Sequence, residues 1–497
     1  MQIISIATMR ELERRTIESG VSGYELMRRA GRGAAEEICK YMHGKDFSRV
    51  VVLVGHGNNG GDALIVAGLL NIPTKVYATT ELTTLRHEAA CAAQDLPNKV
   101  EVEVRDTLSL SDFRPGDLIV DGLLGIGFGG ELRPQLRNWI AVANDSNCPI
   151  VAIDLPSGIN GDTGNADSGI AIQAELTVTF GYPKCGHFNA DGPAYSGRLR
   201  LVDIGLNAPD LSVESTAEAC FAVDAAKLLK RPEFDTYKNR RGRLLIVGGS
   251  ANYSGAATLL SWAALRAGAG IVRLATPVKP FAPLPGALIA RVVKNHHGVF
   301  DLDSLPELET FMAQSDAIVA GSGWDFGTEI IDILSKLLEF SGPVLLDADA
   351  LNAVAREPKR WVKREKLIIT PHLGEAKRLA EAFDIPLFEG RSEFALAIAA
   401  RLNAVTVLKG PHTVVAAPDG RCCINSSGCP ALATAGSGDV LGGIIGALLS
   451  GNPDFPYEMA KLGVFLHGLA GELGDSGLIA DDLPRLAALA AAQIRRG

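Results

Sequence analysis

Two segments of this chain share a layout that restricts it to a small set of folds. In each, a β-branched apolar run leads through a glycine-rich turn into helix-forming residues. The first run is residues 50–54, followed by GHGNNGGD, and the second is residues 244–247, followed by GGS. A strand that enters a helix through a tight turn is the repeating unit of parallel α/β folds. The sequence therefore predicts two separate α/β units.

Further apolar runs extend both units. In the first half, the predicted strands after residues 50–54 are residues 75–78, 118–120, 150–153 and 176–180. In the second half, those after residues 244–247 are residues 271–275, 317–320, 344–346, 367–369 and 405–408. Helical stretches alternate with the strands, which is typical of mainly parallel, doubly wound α/β layers.

The length of the chain and one irregular segment indicate where the units meet. With 497 residues, the chain exceeds the usual size of one hydrophobic core. Residues 205–219 are polar and irregular, which suits a linker. We therefore predict one domain over residues 1–212 and a second over residues 213–497.

Composition argues against several classes of function. A net charge of -9 disfavours nucleic acid as the main partner, because phosphate backbones need a basic face. We find no apolar run long enough to span a bilayer, and the first residues do not resemble a signal peptide. The eight cysteines include no C-x-x-C pair, so neither a zinc site nor a disulfide framework is indicated. We expect a cytoplasmic protein with no membrane partner.

Polar residues follow three predicted strands of the first half. Asn59 lies in the turn after the first strand, Asp121 directly follows the third, and Ser157 lies just beyond the fourth. Open α/β sheets bind ligands at the carboxyl ends of their strands. Hard oxygen ligands at that edge suit an alkali or alkaline-earth cation better than zinc. Tight turns explain the glycines equally well, and an Asp at a strand end can simply cap a helix.

Other signals are weaker. The GNNGG sequence at residues 57–61 lacks the spacing of a dinucleotide-binding G-x-G-x-x-G loop and the Lys-Ser/Thr pair of a Walker A loop. Lys184 and His187, in GYPKCGH, could reach a substrate phosphate, although such side chains in loops are usually solvated. His467, in a helix predicted over residues 457–474, is expected to be a core histidine.

The stretch ATAGSGDVLGG, at residues 433–443, points most directly to chemistry. Apolar residues 440–449 predict a buried helix, whose first N–H groups lack intrahelical partners and attract anions. Gly436 and Gly438 leave the backbone bare enough for phosphate oxygens to approach. Asp439, beside such an anion, suggests a base or a metal-orienting group, and the alternative is a helix cap.

Chemistry-bearing residues also follow four predicted strands of the second half. They are Gly321-Ser322-Gly323, Asp347 with Asp349, His372 with Glu375, and Lys409 to Thr413. Lys409 could neutralise nucleotide phosphates, and Asp347 or Asp349 could orient magnesium. His372 and Glu375 could meet the acceptor. Together with GSGD, these residues favour nucleotide-dependent chemistry.

Taken in order, these stretches resemble known families. RGRLLIVGGSANYSGAA, GSGW, DADALN, TPHLGE, KGPHTVV and ATAGSGDVL, within residues 225–497, resemble the ribokinase-like ADP- or ATP-dependent NAD(P)H-hydrate dehydratases. GHGNNGGD, DGLLGIGFGGE, AIDLPSGINGDTG and TFGYPKCGH resemble the NAD(P)H-hydrate epimerase domain, a Rossmann-like three-layer sandwich. The whole chain is similar to the bifunctional NAD(P)H-hydrate repair enzymes of bacteria.

The resemblance implies repair of NADH or NADPH that has added water across the nicotinamide ring. The N-terminal domain would interconvert the R and S hydrates. The C-terminal domain would transfer phosphate from ADP to the hydroxyl of the S hydrate, and elimination would then restore the ring and leave AMP and phosphate. Potassium in the epimerase domain and magnesium are the implied metals, hydrated NAD(P)H and ADP are the implied partners, and we expect a homo-oligomer.

The resemblance also implies residue roles. Asp439 would activate the hydroxyl, Asp154 would transfer the proton in epimerisation, and Asn59, Asp121 and Ser157 would hold potassium. In the N-terminal domain the hydrate would contact Asn58, Asn59, Gly60, Gly61, Asp62, Gly125, Ile126, Gly127, Phe128, Gly129, Gly130, Glu131 and Asp154. In the C-terminal domain it would contact Ala256, Gly323, His372 and Asp439. The nucleotide would contact Lys409, Gly410, Pro411, His412, Thr413, Gly436, Ser437 and Gly438.

Two alternatives stay open at this point. A small-molecule kinase with an accessory N-terminal domain would carry the same GSGD chemistry, although TPHLGE and the paired N-terminal domain disfavour it. A non-enzymatic nucleotide sensor is disfavoured because the acidic Asp439 weakens simple anion binding at the phosphate cradle. The choice between ADP and ATP is not settled by the sequence.

Overall fold

The computed structural model describes residues 1–207, 217–231, 233–325, 327, 329–474 and 477–496. The chain divides into two compact units, Met1–Ser215 and Thr216–Gly497. The predicted boundary at residue 212, and most of the predicted linker, lie outside the described residues. The boundary therefore stays a prediction.

The first unit is built on a seven-stranded parallel sheet in the order β3-β2-β1-β4-β5-β6-β7. Its strands are β1 (Arg49–Val54), β2 (Thr74–Ala78), β3 (Glu101–Val104), β4 (Asp117–Gly122), β5 (Ile150–Ile153), β6 (Leu176–Phe180) and β7 (Arg198–Val202). Its helices are α1 (Ile6–Glu18), α2 (Gly23–Met42), α3 (Asn58–Leu69), α4 (His87–Gln94), α5 (Pro134–Asp145) and α6 (Gly192–Ser196).

The central strands of this sheet are apolar because both faces are covered. Alternate residues of β1, such as Val50 and Val52, pack with α2 and α3, whereas Val51 and Leu53 pack on the opposite face with α5. Burial on both faces is the environment that selects a continuous β-branched run in parallel sheets. The strand order reverses between β1 and β4, so a crevice is expected beyond their carboxyl ends.

The second unit contains a ten-stranded sheet in the order β11-β10-β9-β12-β13-β14-β15-β16-β17-β8. Its strands are β8 (Ala217–Cys220), β9 (Arg243–Val247), β10 (Ile271–Thr276), β11 (Ile289–Val292), β12 (Ala317–Ala320), β13 (Val344–Leu346), β14 (Leu367–Ile369), β15 (Val405–Leu408), β16 (Val414–Ala416) and β17 (Cys422–Asn425). Neighbouring strands are parallel, except that β16 runs antiparallel to both β15 and β17.

The helices of the second unit alternate with most of these strands. They are α7 (Ala222–Leu228), α8 (Ser254–Ala267), α9 (Leu305–Met312), α10 (Ile330–Leu338), α11 (Asp349–Arg356), α12 (Leu373–Ala382), α13 (Arg391–Leu402), α14 (Ser437–Gly451), α15 (Pro456–Glu472) and α16 (Leu483–Arg496). Within the described residues, no helix has the length and apolar character needed to cross a membrane.

The apolar helix predicted after GSGD is α14, which is buried on nearly all sides. Glycines on α14 and α15 allow close packing of the helices: Gly443 faces the carbonyl oxygen of Leu260 on α8, and Gly463 on α15 faces Ile445. An apolar residue on every face suits a helix inside a core. This packing holds the first turn of α14 in place.

The predicted doubly wound α/β fold is confirmed, and every predicted strand is present, at most two residues shorter at either end than the observed strand. Sequence reasoning missed β3, β7, β8, β11, β16 and β17. The edge strands β3 and β11 are largely exposed and lack a long apolar run. The predicted linker is wrong at residues 217–219, which form part of β8 and pair with β17.

Candidate active sites

A cavity of about 600 Å³ opens beyond the carboxyl ends of β1 and β4. This size is typical of a small-molecule site. Ten of the predicted hydrate-binding residues line it: Asn58, Asn59, Asp62, Gly125, Ile126, Gly127, Phe128, Gly129, Glu131 and Asp154. Gly60, Gly61 and Gly130 are not in its lining. A side chain at Gly60 would collide with the carbonyl oxygen of Gly55, so that glycine lets α3 lie close to the end of β1.

The amino-terminal end of α3 faces this cavity. Gly57, which precedes the helix, carries no side chain to cap it, and both Gly57 and Asn58 line the cavity. Helix N-terminal amides attract negative charge. The GNNGG turn therefore presents an anion-attracting surface, although it lacks the spacing of the common nucleotide loops.

Asn59, Asp121 and Ser157 come together, as predicted, around the backbone of Leu124. The amide nitrogen of Asn59 donates to the carbonyl oxygen of Leu124 at 2.8 Å, and the Leu124 N–H donates to Ser157 Oγ at 2.8 Å. Ser157 Oγ donates to Asp121 Oδ1 at 2.6 Å, and its backbone N–H donates to Asp121 Oδ2 at 2.8 Å. Four oxygen-bearing groups from separate segments thus share one buried region.

This cluster has an incomplete hydrogen-bond network. Asn59 Oδ1 is buried and has no hydrogen-bond partner. Burial raises the pKa of Asp121 to about 6, despite hydrogen bonds from Ser157 and Leu123. Buried polar atoms are normally satisfied, so an unpartnered amide oxygen in a cluster of hard oxygen groups fits a site for a cation. No group of three or more His, Cys, Asp or Glu side chains among the described residues could bind a metal.

Asp154 directly follows β5 and lines the cavity, and its backbone adopts a positive φ of 65°. Its Oδ1 accepts from Lys184 Nζ at 2.6 Å, and Lys184 also donates to Thr179 Oγ1 at 2.8 Å and to the Phe180 carbonyl at 3.0 Å. His187 Nε2 donates to the Asp154 carbonyl oxygen at 2.8 Å. The network holds the Asp154 carboxylate at the cavity wall.

The prediction that Lys184 and His187 could reach a substrate phosphate is wrong. Both side chains are fully buried, and the three protons of the Lys184 ammonium are all used. Burial lowers the pKa of His187 to about 4, so the ring is neutral at physiological pH. These residues position Asp154. Their role was not recognised from the sequence, because the residues around them are typical of an exposed loop.

Two further carboxyl groups line the same cavity. Burial, reinforced by the charge of Asp154, raises the pKa of Glu13 and raises the pKa of Asp62 well above its ordinary value. Sequence reasoning missed Glu13. Its position could have indicated a functional role, because Glu13 lies on the same face of α1 as the buried Met9 and Leu12, where an acidic side chain is unexpected.

The predicted residues at the strand ends of the second unit also converge. Lys409 Nζ donates to Asp347 Oδ1 at 2.7 Å and lies 3.9 Å from Glu375 Oε2. The same ammonium lies 3.4 Å from the position that a Cβ of Gly438 would occupy. A cation therefore lies at the start of α14, where a phosphate is expected.

The first turn of α14 is bare. Gly436 adopts a left-handed conformation at φ 88°, and the helix begins without a side-chain cap. The alternative in which Asp439 caps this helix is therefore wrong. Burial, reinforced by Asp347, raises the pKa of Asp439 to about 6, while Ser322 and Lys409 oppose the shift. A carboxyl group that titrates near neutral pH is suited to accept a proton.

The remaining predicted residues surround this centre. Gly323 packs against Ala256, whose Cβ lies 3.2 Å from the position of a Gly323 Cβ. His372 caps α12 through Nδ1, which accepts from the Gly374 N–H at 2.9 Å, and its side chain is 55% exposed. His467 is buried in the core as predicted, and it contacts Ser437 Oγ at 3.1 Å.

The predicted nucleotide-binding turn follows β15. Gly410 has φ 146° and His412 has φ 46°, two conformations that fold the chain back on itself. The Thr413 hydroxyl donates to the Gly410 carbonyl at 2.9 Å, which holds the turn closed. Pro411 is exposed at its tip. The backbone of the turn is therefore accessible to a ligand.

Comparison with known proteins decides the family. Residues 23–186 match the family model described as YjeF-related protein N-terminus, and residues 244–488 match the model described as NAD(P)H-hydrate dehydratase. A bifunctional NAD(P)H-hydrate repair enzyme from Moorella thermoacetica is 35% identical, covering 97% of this chain and 95% of the relative. The chain belongs to the bifunctional NAD(P)H-hydrate repair enzyme family. The family resemblance inferred from the motifs is thus confirmed.

A second curated relative and two solved structures are also similar to this chain. The Escherichia coli K12 enzyme of the same name is 37% identical, covering 93% of this chain and 88% of its own. A solved ribokinase-like superfamily protein from Enterococcus faecalis has a TM-score of 0.50 at 22% identity, covering 58% of this chain and 100% of its own. A Bacillus subtilis ADP/ATP-dependent NAD(P)H-hydrate dehydratase, co-crystallised with ATP and Mg²⁺, has a TM-score of 0.44 at 26% identity, covering 56% and 98%.

Proposed function

We propose that this chain repairs hydrated NADH and NADPH with one reaction in each unit. The first unit interconverts the R and S hydrates. The second unit dehydrates the S hydrate with ADP as co-substrate and releases AMP and phosphate. The observation that carries the proposal is the proton-accepting Asp439 on the bare first turn of α14, beside the Lys409 ammonium. Membership of the repair-enzyme family supports the choice of substrate.

Dehydration needs a better leaving group than hydroxide. Asp439 removes the proton of the substrate hydroxyl, and the resulting oxygen attacks the β-phosphorus of ADP while AMP leaves. The α14 amides and Lys409 stabilise the charge on the transferring phosphoryl group. The ring nitrogen then assists expulsion of phosphate, and loss of a proton from the neighbouring carbon restores the double bond.

Magnesium fits the carboxylates near this turn. Asp347 Oδ2 lies 3.9 Å from the position that a Cβ of Gly438 would occupy, and burial together with the charges of Asp347 and Asp349 raises the pKa of Asp439. Mg²⁺ needs one or two carboxylates together with phosphate oxygens and water, so these two residues would hold it. When bound, the metal would neutralise charge on the phosphates.

The dehydratase assay uses purified protein, hydrated NADH, ADP and magnesium. The expected result is the return of reduced-nicotinamide absorbance, with about 10²- to 10⁴-fold slower turnover for Asp439→Asn. No recovery with either ADP or ATP would refute the proposal. A stable phosphorylated product would instead favour a small-molecule kinase, and the ratio of rates with ADP and ATP would settle the co-substrate.

Epimerisation requires a proton acceptor and a proton donor at the hydroxyl-bearing carbon. That carbon is bonded to the ring nitrogen, so deprotonation of its hydroxyl opens the carbon–nitrogen bond, and reclosure from the other face inverts the centre. Asp154, paired with Lys184, accepts the hydroxyl proton. Asp62 and Glu13, whose pKa values are raised by burial and by Asp154, are the proton donors that we propose in the same cavity.

Potassium fits the cluster behind this cavity. Asn59 Oδ1 is buried and unpartnered, and the Leu124 carbonyl, Asp121 and Ser157 lie around it. Only one of these groups carries a formal charge, and the donor set consists of hard oxygens, which suits a monovalent cation. When bound, potassium would rigidify the Leu124 loop that lines the cavity.

The epimerase assay follows the R hydrate in the presence of ADP and magnesium, so that the second unit consumes the S hydrate as it forms. Asp154→Ala should reduce R consumption to its spontaneous rate and leave S repair intact. Asp145→Ala, an exposed residue at the end of α5, serves as the matched control. Equal R consumption by wild type and Asp154→Ala would refute the role of Asp154.

We also infer that the enzyme is a cytoplasmic homo-oligomer. All eight cysteines are free thiols, which suits a reducing compartment. The edge strand β11 exposes Ile289 at 50% and Val292 at 49%, and an unprotected apolar edge strand offers free backbone groups for pairing with another chain. Light scattering should show a multimer that Val292→Lys weakens, and a wild-type monomer at micromolar concentration would refute this inference.

A further inference from the structure

Arg391 lies beneath the turn that follows β15. It is the first residue of α13, and its Nη2 donates to the carbonyl oxygens of Leu408 at 3.1 Å and of Lys409 at 3.3 Å. Its Nε is buried without a hydrogen-bond partner. Its Nη1 makes no hydrogen bond to any described residue. The N–H groups of Nε and Nη1 are therefore not used by the described residues.

The charge of Arg391 is also uncompensated. Burial lowers its pKa, and no acidic side chain among the described residues offsets that effect. Lys409, next to it, differs, because the charges of Asp347, Glu375 and Asp439 raise its pKa against burial. A buried charge without a partner is costly, whereas one that pairs with a ligand recovers the cost on binding.

The guanidinium packs directly against the predicted nucleotide-binding turn. A Cβ at Gly410 would lie 2.8 Å from Nη2 and 2.9 Å from Nη1 of Arg391, and the φ of 146° at this position also disfavours any residue other than glycine. Burial, with a smaller contribution from the charge of Arg391, lowers the pKa of His412. On the other side, the Lys409 ammonium lies beside Gly438 in the first turn of α14. Two cationic side chains therefore lie along the turn. Lys409 lies beside the start of α14, where phosphoryl transfer is proposed, and Arg391 lies beside Gly410.

We propose that Arg391 binds the α-phosphate of the adenine nucleotide, the phosphate that remains in AMP after transfer. The planar guanidinium presents paired donors that match phosphate oxygens. Lys409 and the start of α14 are left for the transferred phosphate. This inference rests on the proposed function of the second unit, and it adds a nucleotide-binding residue to that site.

Calorimetric titration of the full chain with AMP and with adenosine separates a phosphate contact from a structural role. Arg391→Met should raise the Kd of AMP about 10- to 100-fold, since a charge-assisted hydrogen bond of about 1.5–3 kcal/mol is lost. The Kd of adenosine should stay within about 2-fold of wild type. In turnover, KM for ADP should rise by a similar factor while kcat changes little.

Arg364→Met is the matched control. Arg364 is also partly buried, with a pKa lowered by burial, but its guanidinium donates to the carbonyl oxygens of Glu365, Leu338 and Gly342, away from this turn. Its loss should lower thermal stability and leave both Kd values unchanged. Arg391→Lys keeps the positive charge but lacks the paired donors of the guanidinium, so we expect its affinity for AMP to lie between those of wild type and Arg391→Met. This variant also tests the inference if Arg391→Met folds poorly.

Equal weakening of AMP and adenosine by the Arg391 variants would overturn the inference in favour of a structural role. Unchanged AMP affinity in Arg391→Met would overturn it as well. A wild-type chain that binds neither AMP nor ADP would overturn the proposed function, and the inference with it. Loss of AMP binding confined to the Arg391 variants would leave the proposed function standing.

Discussion

The ionised form of Asp439 destabilises the folded second unit at neutral pH. Burial, reinforced by Asp347, raises its pKa from the ordinary value of 3.8 to about 6, so the folded state holds the proton more tightly than the unfolded state. The stabilising contribution of the protonated group is complete below the unfolded pKa and is lost as the pH rises through about 6. Two pKa units, at 1.36 kcal/mol each, amount to about 3 kcal/mol.

The substitution Asp439→Asn removes the cost of burying the ionised carboxylate and keeps a side chain of nearly the same size. At pH 8 we expect the free energy of unfolding to rise by about 1–3 kcal/mol relative to wild type, and at pH 5 by about half as much. The lower bound allows for the attraction between Asp439 and Lys409 that the substitution also removes. The same variant should lose dehydratase activity, because the proton acceptor is gone. A residue that costs stability and supplies function is a common feature of active sites.

Differential scanning calorimetry at pH 5 and pH 8 measures the effect. Two units are present, so the transition that shifts upward with ADP is assigned to the second unit. Asp481→Asn, at an exposed position of the same unit, should change stability by less than about 0.5 kcal/mol at either pH. Wild-type activity should fall below pH 6 with a slope of one proton. A decrease in stability at pH 8, or the same change in stability at both pH values, would refute the reasoning.

Three further predictions test other parts of the chain. Asn59→Leu removes the unpartnered amide oxygen and should abolish any activation of R-hydrate repair by potassium, measured against sodium, while S-hydrate repair continues. Lys184→Met leaves the Asp154 carboxylate buried without its partner and should destabilise the first unit by about 3–5 kcal/mol in urea titration. Gly443→Ala places a Cβ against a backbone carbonyl of α8 and should cost about 1–3 kcal/mol, whereas Gly442→Ala, with its nearest atoms at 3.9 Å, should be neutral or stabilising.

Much of the architecture was predictable because its signals are local. The β-branched runs that form the central strands, the glycine turns after β1 and β9, and the apolar helix after GSGD are each contained in a few consecutive residues. The missed strands show the limit of such signals. β11 is exposed at all four positions, and β16 is only three residues long and antiparallel, so neither carries the pattern of a buried parallel strand.

Some residues of the candidate sites could likewise be predicted from local sequence, and others could not. The predicted potassium ligands and the residues around Asp439 do converge, because parallel strands carry their carboxyl ends to one edge. Lys184 does lie in a loop, but it was wrongly expected to be accessible, since nothing near it in sequence shows that it is buried against Asp154, thirty positions away. Glu13 and Arg391 were missed for a related reason: an ordinary helical position becomes unusual only when its surroundings are known.

The sequence by itself determined the order of strands and helices, and it determined which chemical groups stand at the strand ends. Tertiary structure alone decided which of these groups lose contact with water and which partners they find. Within the part of the chain that the structure describes, it left Asn59 Oδ1 without a hydrogen-bond partner, raised the pKa of Asp439 to about 6, and placed Arg391 under Gly410 without a counter-ion. The physical reason is that pairing and desolvation depend on distances between residues far apart in the chain, whereas strand and turn propensities depend on neighbours.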